Sequence, residues 1–164
     1  MIKIQISNPE VLSLIEEEII NLEDAIESIF PLDTEYLILI WNNIFIPLTY
    51  KYDISLMVLD FIRILHFLKD DKGDKLEIHW ASNTFVSIWK MKKINSSVNI
   101  KSEWETVNGG TQDLLNKVNE NTLPVSDFEK EIKKILFFLK NSLEKSGLNC
   151  HLIEDFEKLE KTCR

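Results

Sequence analysis

The chain has 164 residues, of which 45% are hydrophobic and 28% charged, and its formal net charge is −8 at pH 7. This length and composition predict a single soluble globular domain and exclude disordered, fibrous and membrane-spanning proteins. The negative charge opposes binding to phosphate backbones and anionic lipid headgroups, so we expect neither nucleic acid nor a membrane as a partner.

The net charge comes from the first 35 residues, which hold nine carboxylates and one basic side chain, Lys3. In the rest of the chain, acidic and basic side chains are equal in number. A local anionic patch acts mainly on encounter rate and partner choice. We therefore expect a basic protein as the partner. The acidic residues of the patch are Glu10, Glu16, Glu17, Glu18, Glu23, Asp24, Glu27, Asp33 and Glu35.

The first predicted element is a strand over residues 2–7, because isoleucines alternate with other residues there. A helix is predicted over residues 9–29, with Asn8 as its cap and Pro9 in its first turn. Apolar residues recur along it at steps of three and four, which predicts one buried stripe. The stripe consists of Val11, Leu12, Ile15, Ile19, Leu22, Ile26 and Ile29.

The outer face of this helix is the first candidate binding surface. With a turn of about 100° per residue, Ile20 lies inside an arc of acidic side chains away from the stripe. An apolar side chain ringed by charge is the arrangement of an interface hot spot. A helix wedged between two surfaces, or a single exposed apolar residue without a partner, explains the same pattern. The acidic residues of the arc are Glu16, Glu17, Glu23, Asp24 and Glu27.

A hairpin and a second helix are predicted next. Residues 36–41 and 44–50 are rich in aromatic and β-branched residues, and the Asn42-Asn43 pair between them favours a tight turn. Residues 54–69 are too apolar for a helix with one exposed face. We therefore expect this helix to be buried against a sheet, as the central helix of the domain.

A meander of three antiparallel strands is predicted over residues 75–82, 84–92 and 97–107. In the third strand apolar and polar residues alternate, so one face is packed and the other faces water. Glu103 and Glu105 lie on the water-facing side. They form the second candidate binding surface.

The last third of the chain is predicted to add a short edge strand over residues 122–125 and a long helix over residues 127–146. A capping box at residues 126–129 starts this helix, and Gly147 ends it. A short helix capped by Asn149 follows at residues 151–161. Residues 1–164 therefore form one α+β domain, a mostly antiparallel sheet packed with three main helices.

Residues suited to catalysis or cofactor binding are sparse. Residues 108–111 lack the spacing and the lysine of a phosphate-binding loop, so no nucleotide cofactor is expected. The histidines, His66, His79 and His151, lie on different elements, so no metal site is predicted. His66 lies in an apolar segment and is expected to be packed in the core. No enzymatic activity is predicted.

The cysteines, Cys150 and Cys163, are predicted to be free thiols, because the chain has no second thiol pair and no signal peptide at its start. A small hydrolase without a cofactor is the alternative from a different functional class. It requires a cleft that brings titratable side chains together. The candidates for such a cleft are His66, His79, Asp74, Glu103 and Glu105.

The predicted order is strand, acidic helix, hairpin, buried helix, meander and capped long helix. Together with the segments Leu76-Glu-Ile-His-Trp80, Phe85-Val-Ser-Ile-Trp89 and Val98-Asn-Ile-Lys-Ser-Glu-Trp104, this order resembles the small α/β immunity proteins encoded beside bacterial contact-dependent growth-inhibition toxins. The resemblance implies a cytoplasmic protein that binds the toxic domain of its cognate effector, often a nuclease, and blocks its active site. An acidic secretion chaperone, dimeric and with an exposed apolar groove, is the alternative interaction protein.

Overall fold

The computed structural model describes residues 1–13, 19–70 and 73–163. These residues form a three-stranded and a four-stranded antiparallel sheet packed with helices, which confirms the α+β class. The strands of the first sheet are β1 (Ile2–Gln5), β2 (Tyr36–Trp41) and β3 (Ile44–Thr49), and those of the second are β4 (Lys75–Ala81), β5 (Phe85–Ile94), β6 (Ser97–Val107) and β7 (Glu120–Pro124). The helices are α1 (Leu22–Ile29), α2 (Ser55–Lys69), α3 (Gln112–Lys117), α4 (Val125–Lys145) and α5 (Phe156–Thr162).

In the first sheet, β2 lies between β1 and β3, and the turn between β2 and β3 is formed by Asn42 and Asn43. Both residues have positive φ, +48° and +67°, as a tight hairpin turn requires. The outer edge of β1 is covered by α4. The Glu131 carboxylate accepts a 2.7 Å hydrogen bond from the Ile4 N–H, and the Lys134 ammonium donates a 2.9 Å bond to the Ile4 carbonyl. This edge is therefore closed to further strand pairing.

In the second sheet, the strands follow the order β4, β5, β6, β7, so the meander and the edge strand are confirmed. Trp80, Trp89 and Trp104 are buried on its inner face. Trp41 of the first sheet contacts Trp89 and Trp104, with ring centroids 5.3 Å and 5.2 Å apart. These indoles pack the two sheets against each other. On the outer face of β6, Glu103 and Glu105 are exposed, as the alternation predicts.

The first helix is shorter than predicted. It begins at Leu22, because Asn21 caps it by accepting a 2.9 Å hydrogen bond from the Asp24 N–H. Residues 9–13, 19 and 20 are not helical, and residues 14–18 lie outside the described residues. The Leu12 N–H donates a 2.9 Å bond to the Ile29 carbonyl, so the segment before the helix packs beside its end. The prediction of one helix over residues 9–29 is therefore wrong for its described amino-terminal part.

Three other local predictions are wrong. Ser126 lies inside α4, whose cap is Pro124 without a side-chain hydrogen bond, so residues 126–129 form no capping box. Asn149 caps only a 3-10 turn and does so without a side-chain bond, whereas α5 begins after Asp155. His66 is exposed, because it lies on the outer side of α2. Gly147 does end α4 with a φ of +78°.

The second helix is central, as predicted, but it is not buried on all sides. It packs against α1, α4, α5 and β4, and most of its apolar side chains are buried. Leu56 and Leu59 remain exposed, however, beside Tyr52 in the π-helical turn (Tyr50–Ile54) that precedes the helix. This turn and α3 are elements that the sequence patterns do not predict.

Candidate functional site

The candidate site is a recess of about 550 Å³ between α1 and the π-helical turn before α2. We call it the acidic recess, because its lining includes two carboxylates and a single ammonium group among the described residues. Its described lining residues are Leu12, Ile19, Asp24, Glu27, Ser28, Pro31 and Lys51.

The helix period places the carboxylates at the recess. Leu22, Ala25, Ile26 and Ile29 are almost fully buried in the core, at relative exposures of 0 to 1%. Because one turn takes about 3.6 residues, the positions between these side chains point outward. Glu23 and Asp24 are exposed and Glu27 is half-buried. The amphipathic period of α1 therefore fixes the acidic side chains on its outer face.

The opposite wall of the recess carries Lys51, whose ammonium group has intramolecular contacts. Its ammonium donates a 3.4 Å hydrogen bond to the Pro31 carbonyl and lies 5.5 Å from the centre of the Tyr52 ring. Neither Asp24 nor Glu27 forms an ion pair with it. The carboxylates of the recess therefore remain able to accept hydrogen bonds from a positively charged side chain of a partner.

Apolar side chains are also exposed in the two segments that meet at the start of α1. Ile20 is 61% exposed, and its carbonyl accepts a 2.8 Å hydrogen bond from the Glu154 N–H. Asn21 and Glu154 form an isolated parallel bridge, so the carboxy-terminal segment runs next to Ile20. Leu152 of that segment is 76% exposed. The surface around α1 thus combines carboxylates with exposed apolar side chains, although Ile20 precedes the helix instead of lying on it.

The structure separates the predicted binding residues into two places. Ile20, Glu23, Asp24 and Glu27 lie together at α1, while Glu16 and Glu17 lie outside the described residues. Glu103 and Glu105 lie on β6, away from the acidic recess. Lys90 pairs with Glu103 at 2.6 Å, and this hydrogen bond lowers the pKa of the Glu103 carboxyl.

Sequence reasoning misses Glu154, which the fold brings next to Ile20, and the exposed Leu152 two residues before it. The prediction of a helix over residues 151–161 assigns them to a regular element. The signal that could have separated them is Asp155, a residue type that tolerates the left-handed conformation and has a φ of +67° here.

The five candidate residues of the hydrolase alternative are spread over several elements of the fold. The described hollows at α1, at α4 and on the outer face of the second sheet are lined by none of its five candidate residues. His79 lies 2.6 Å from Glu77 on an exposed strand face. Burial raises the pKa of both Cys150 and Cys163, which disfavours the nucleophilic thiolate. Within the described ranges, no three His, Cys, Asp or Glu side chains are grouped as metal ligands would be.

No helix in the described part of the chain is long and apolar enough to cross a bilayer. No protein-family model matches the chain, and neither a curated protein nor a solved structure is detectably similar to it.

Proposed function

We propose that the protein binds and neutralises a basic toxin domain by covering its active site with the acidic surface around α1. The acidic recess carries this proposal, because Asp24 and Glu27 line it while Ile20 is exposed beside it. Nucleases present basic surfaces to the phosphates of their substrates. A carboxylate-bearing surface with an apolar anchor fits such an active site by charge and competes with the substrate for it.

The shape of the recess suits a long basic side chain. Arginine presents a planar fork of donors that carboxylates can bind at two points. Leu12, Ile19 and Pro31 supply apolar surface along which its methylene stem can pack. The recess therefore favours an arginine of the toxin as the group inserted between α1 and Lys51.

The nuclease class of the toxin rests on the resemblance to immunity proteins of contact-dependent growth-inhibition systems. That resemblance also gives the location of the interaction, the cytoplasm of the producing cell. We propose no enzymatic activity, cofactor or metal for this chain.

The test uses the neighbouring reading frame, which the proposal predicts to encode a basic toxin domain. Cells that express the toxin domain should stop growing, and co-expression of this protein should restore their growth. The two proteins should copurify as a complex without nuclease activity. The reversal of Asp24 and Glu27 to lysine should abolish rescue. A matched control reverses Glu103 and Glu105, which are exposed and carry the same charge. Failure of the unaltered protein to bind or to rescue would contradict the proposed function. Loss of rescue only in the Glu103 and Glu105 variant would contradict the proposed site.

A secretion chaperone is the second candidate, and one observation favours it. Tyr52, in the π-helical turn, and Leu56 and Leu59, in the first turns of α2, are 45%, 44% and 42% exposed. Their spacing of three and four residues places them on one helix face. A chaperone would use such a face to hold an unfolded partner, and it would be dimeric. Multi-angle light scattering, which measures the molar mass in solution, separates the two candidate functions. A chaperone should be a dimer, and the dimer should dissociate when Leu56 and Leu59 are changed to Ser.

A further inference from the structure

The acidic recess has exposed apolar side chains at its rim. Its wall contains the contact between Pro31 and Lys51, in which the ammonium donates a 3.4 Å hydrogen bond to the proline carbonyl. Leu32 follows Pro31, Tyr52 follows Lys51, and both of these apolar side chains are exposed. The centre of the Tyr52 ring lies 5.5 Å from the Lys51 ammonium. The rim of the recess therefore includes the Tyr52 side chain.

This apolar surface continues from the rim onto α2. The π-helical turn passes into α2 without a break, because Ile54 and Ser55 keep helical φ and ψ. Leu56 and Leu59 are exposed in the first turns of α2, on the same side as Tyr52. The three side chains extend over about 10 Å, since each helical residue adds about 1.5 Å. Together with Leu32 they form a surface that we call the apolar strip.

The two ends of the apolar strip differ in charge. At the recess, Asp24 and Glu27 form no ion pair with any basic side chain in the described ranges. At the other end, Arg63 is paired with Asp60 at 2.6 Å, so the first charge on α2 beyond the strip is already balanced. Unbalanced negative charge therefore lies at the recess end of the strip.

We propose that the apolar strip and the acidic recess together bind one amphipathic helix of the partner. The apolar stripe of that helix packs along α2, and arginine or lysine side chains at one of its ends reach the recess. An amphipathic helix presents apolar side chains at i, i+4 and i+7, which is the spacing of Tyr52, Leu56 and Leu59. Side-chain ridges of one helix can then pack into the grooves of the other.

A helix fits this surface better than other occupants do. The strip consists largely of side chains on helical backbone, whose N–H and C=O groups bond within the helix, so an extended segment finds no strand to pair with. A second copy of this chain brings a net charge of −8 to an acidic surface, which opposes association. A basic helix is attracted by the same charge.

This inference rests on the proposed function, because it names the element of the toxin domain that would occupy the site. The two claims can nevertheless fail separately. The proposed function requires that a basic toxin domain is bound and inhibited through the surface around α1. The inference adds that a helix is bound and that Leu56 and Leu59 contribute to the same binding event.

The test uses the unaltered protein and a synthetic helical peptide with leucines at i, i+4 and i+7 and arginines in its last turn. Two-dimensional NMR of the backbone amides should show concentration-dependent shifts in α1, the π-helical turn and the first turns of α2. Changing Leu56 and Leu59 to Ser should weaken binding at least about tenfold, because the apolar anchors are lost while the recess is kept. A matched control changes Leu114 and Val118, exposed apolar residues at α3, to Ser.

The control variant should bind the peptide as the unaltered protein does, within a factor of about two, and circular dichroism checks that both variants are folded. The inference is overturned if a peptide of the same composition with scattered leucines binds equally well, or if both variants lose binding equally. A dimer that dissociates in the Leu56 and Leu59 variant also overturns it, because a second copy then covers the strip.

The toxin domain itself separates this inference from the proposed function. Equal binding of the toxin domain to the unaltered protein and to the Leu56 and Leu59 variant would overturn the inference and leave the proposed function intact. A toxin domain that binds neither protein would contradict the proposed function.

Discussion

Asp53 accepts a 2.6 Å hydrogen bond from the Thr84 hydroxyl, which joins the turn before α2 to the turn between β4 and β5. The carboxylate is fully buried and also accepts bonds from the Thr49 N–H at 2.8 Å, the Thr49 hydroxyl at 2.9 Å and the Ser82 hydroxyl. One side chain therefore links the end of the first sheet, the central helix and the start of the second sheet.

Asp53→Ala should lower the free energy of unfolding by about 3 kcal/mol, because it leaves buried donors without an acceptor. Urea unfolding followed by tryptophan fluorescence measures the loss. Asp33→Ala, at an exposed carboxylate, is the control and should change stability by less than about 0.5 kcal/mol. A loss below about 1 kcal/mol for Asp53→Ala would show that this network does not hold the two sheets together.

The hairpin turn predicts a stabilising substitution. Asn43 has a φ of +67° and no side-chain hydrogen bond among those observed, so Asn43→Gly should raise the free energy of unfolding by about 0.5 kcal/mol. Asn43→Val should lower the free energy of unfolding by about 1 kcal/mol or more, since a β-branched residue is strained at positive φ. Thermal unfolding of both variants gives the comparison. Equal melting temperatures would contradict the turn geometry.

The buried thiols predict a pH dependence of stability. Burial raises the pKa of Cys150 and Cys163 above the ordinary value of 9.0. The folded state therefore keeps its thiols protonated at pH values where the unfolded chain has already ionised. This contribution is complete below about pH 9 and is lost as pH rises through the folded-state pKa values.

The pair of changes Cys150→Ala and Cys163→Ala should reduce the fall in the free energy of unfolding between about pH 8 and pH 10. Denaturant titrations at the two pH values measure the difference. An identical fall in the variant and in the unaltered protein would assign the pH dependence to other groups, among them Tyr50, whose pKa is also raised by burial.

The exposed apolar residue at the recess predicts an effect on complex lifetime. Ile20→Ala should speed dissociation of the toxin domain and cost about 2 kcal/mol of binding free energy, because a central apolar anchor acts mainly on the dissociation rate. Surface plasmon resonance separates the two rate constants. Leu114→Ala is the control, since Leu114 is 55% exposed on α3 and does not line the acidic recess. Equal dissociation rates for the two variants would place the anchor elsewhere.

The sequence predicts the strands better than the first helix, for physical reasons. Alternation fixes the two faces of β6, and Asn42-Asn43 fixes the hairpin, because both signals are local. The stripe from Val11 to Ile29 is also local, but its apolar residues can be buried without helical backbone. Val11 and Ile19 show this, since both are partly buried against the core and neither is helical. Leu12, which the stripe also includes, is 40% exposed, so its predicted burial is wrong.

The candidate site could be predicted only in part. Asp24 and Glu27 are found from their position opposite the buried side of α1, which the helix period determines. Lys51 and Glu154 could not be found in this way, because tertiary packing brings them to α1 and its cap from distant parts of the chain.

The most direct test of the central claim is the association rate constant between this protein and the toxin domain that we propose to be encoded beside it, measured at low and at high salt. Reversal of Asp24 and Glu27 to lysine should slow association at low salt by about tenfold and flatten its salt dependence, since charges at an interface act on encounter. Glu103 and Glu105, reversed together, should leave the rate almost unchanged. An unchanged rate for the Asp24 and Glu27 variant, in a protein shown to be folded, would contradict the claim that the acidic recess is the toxin-binding surface.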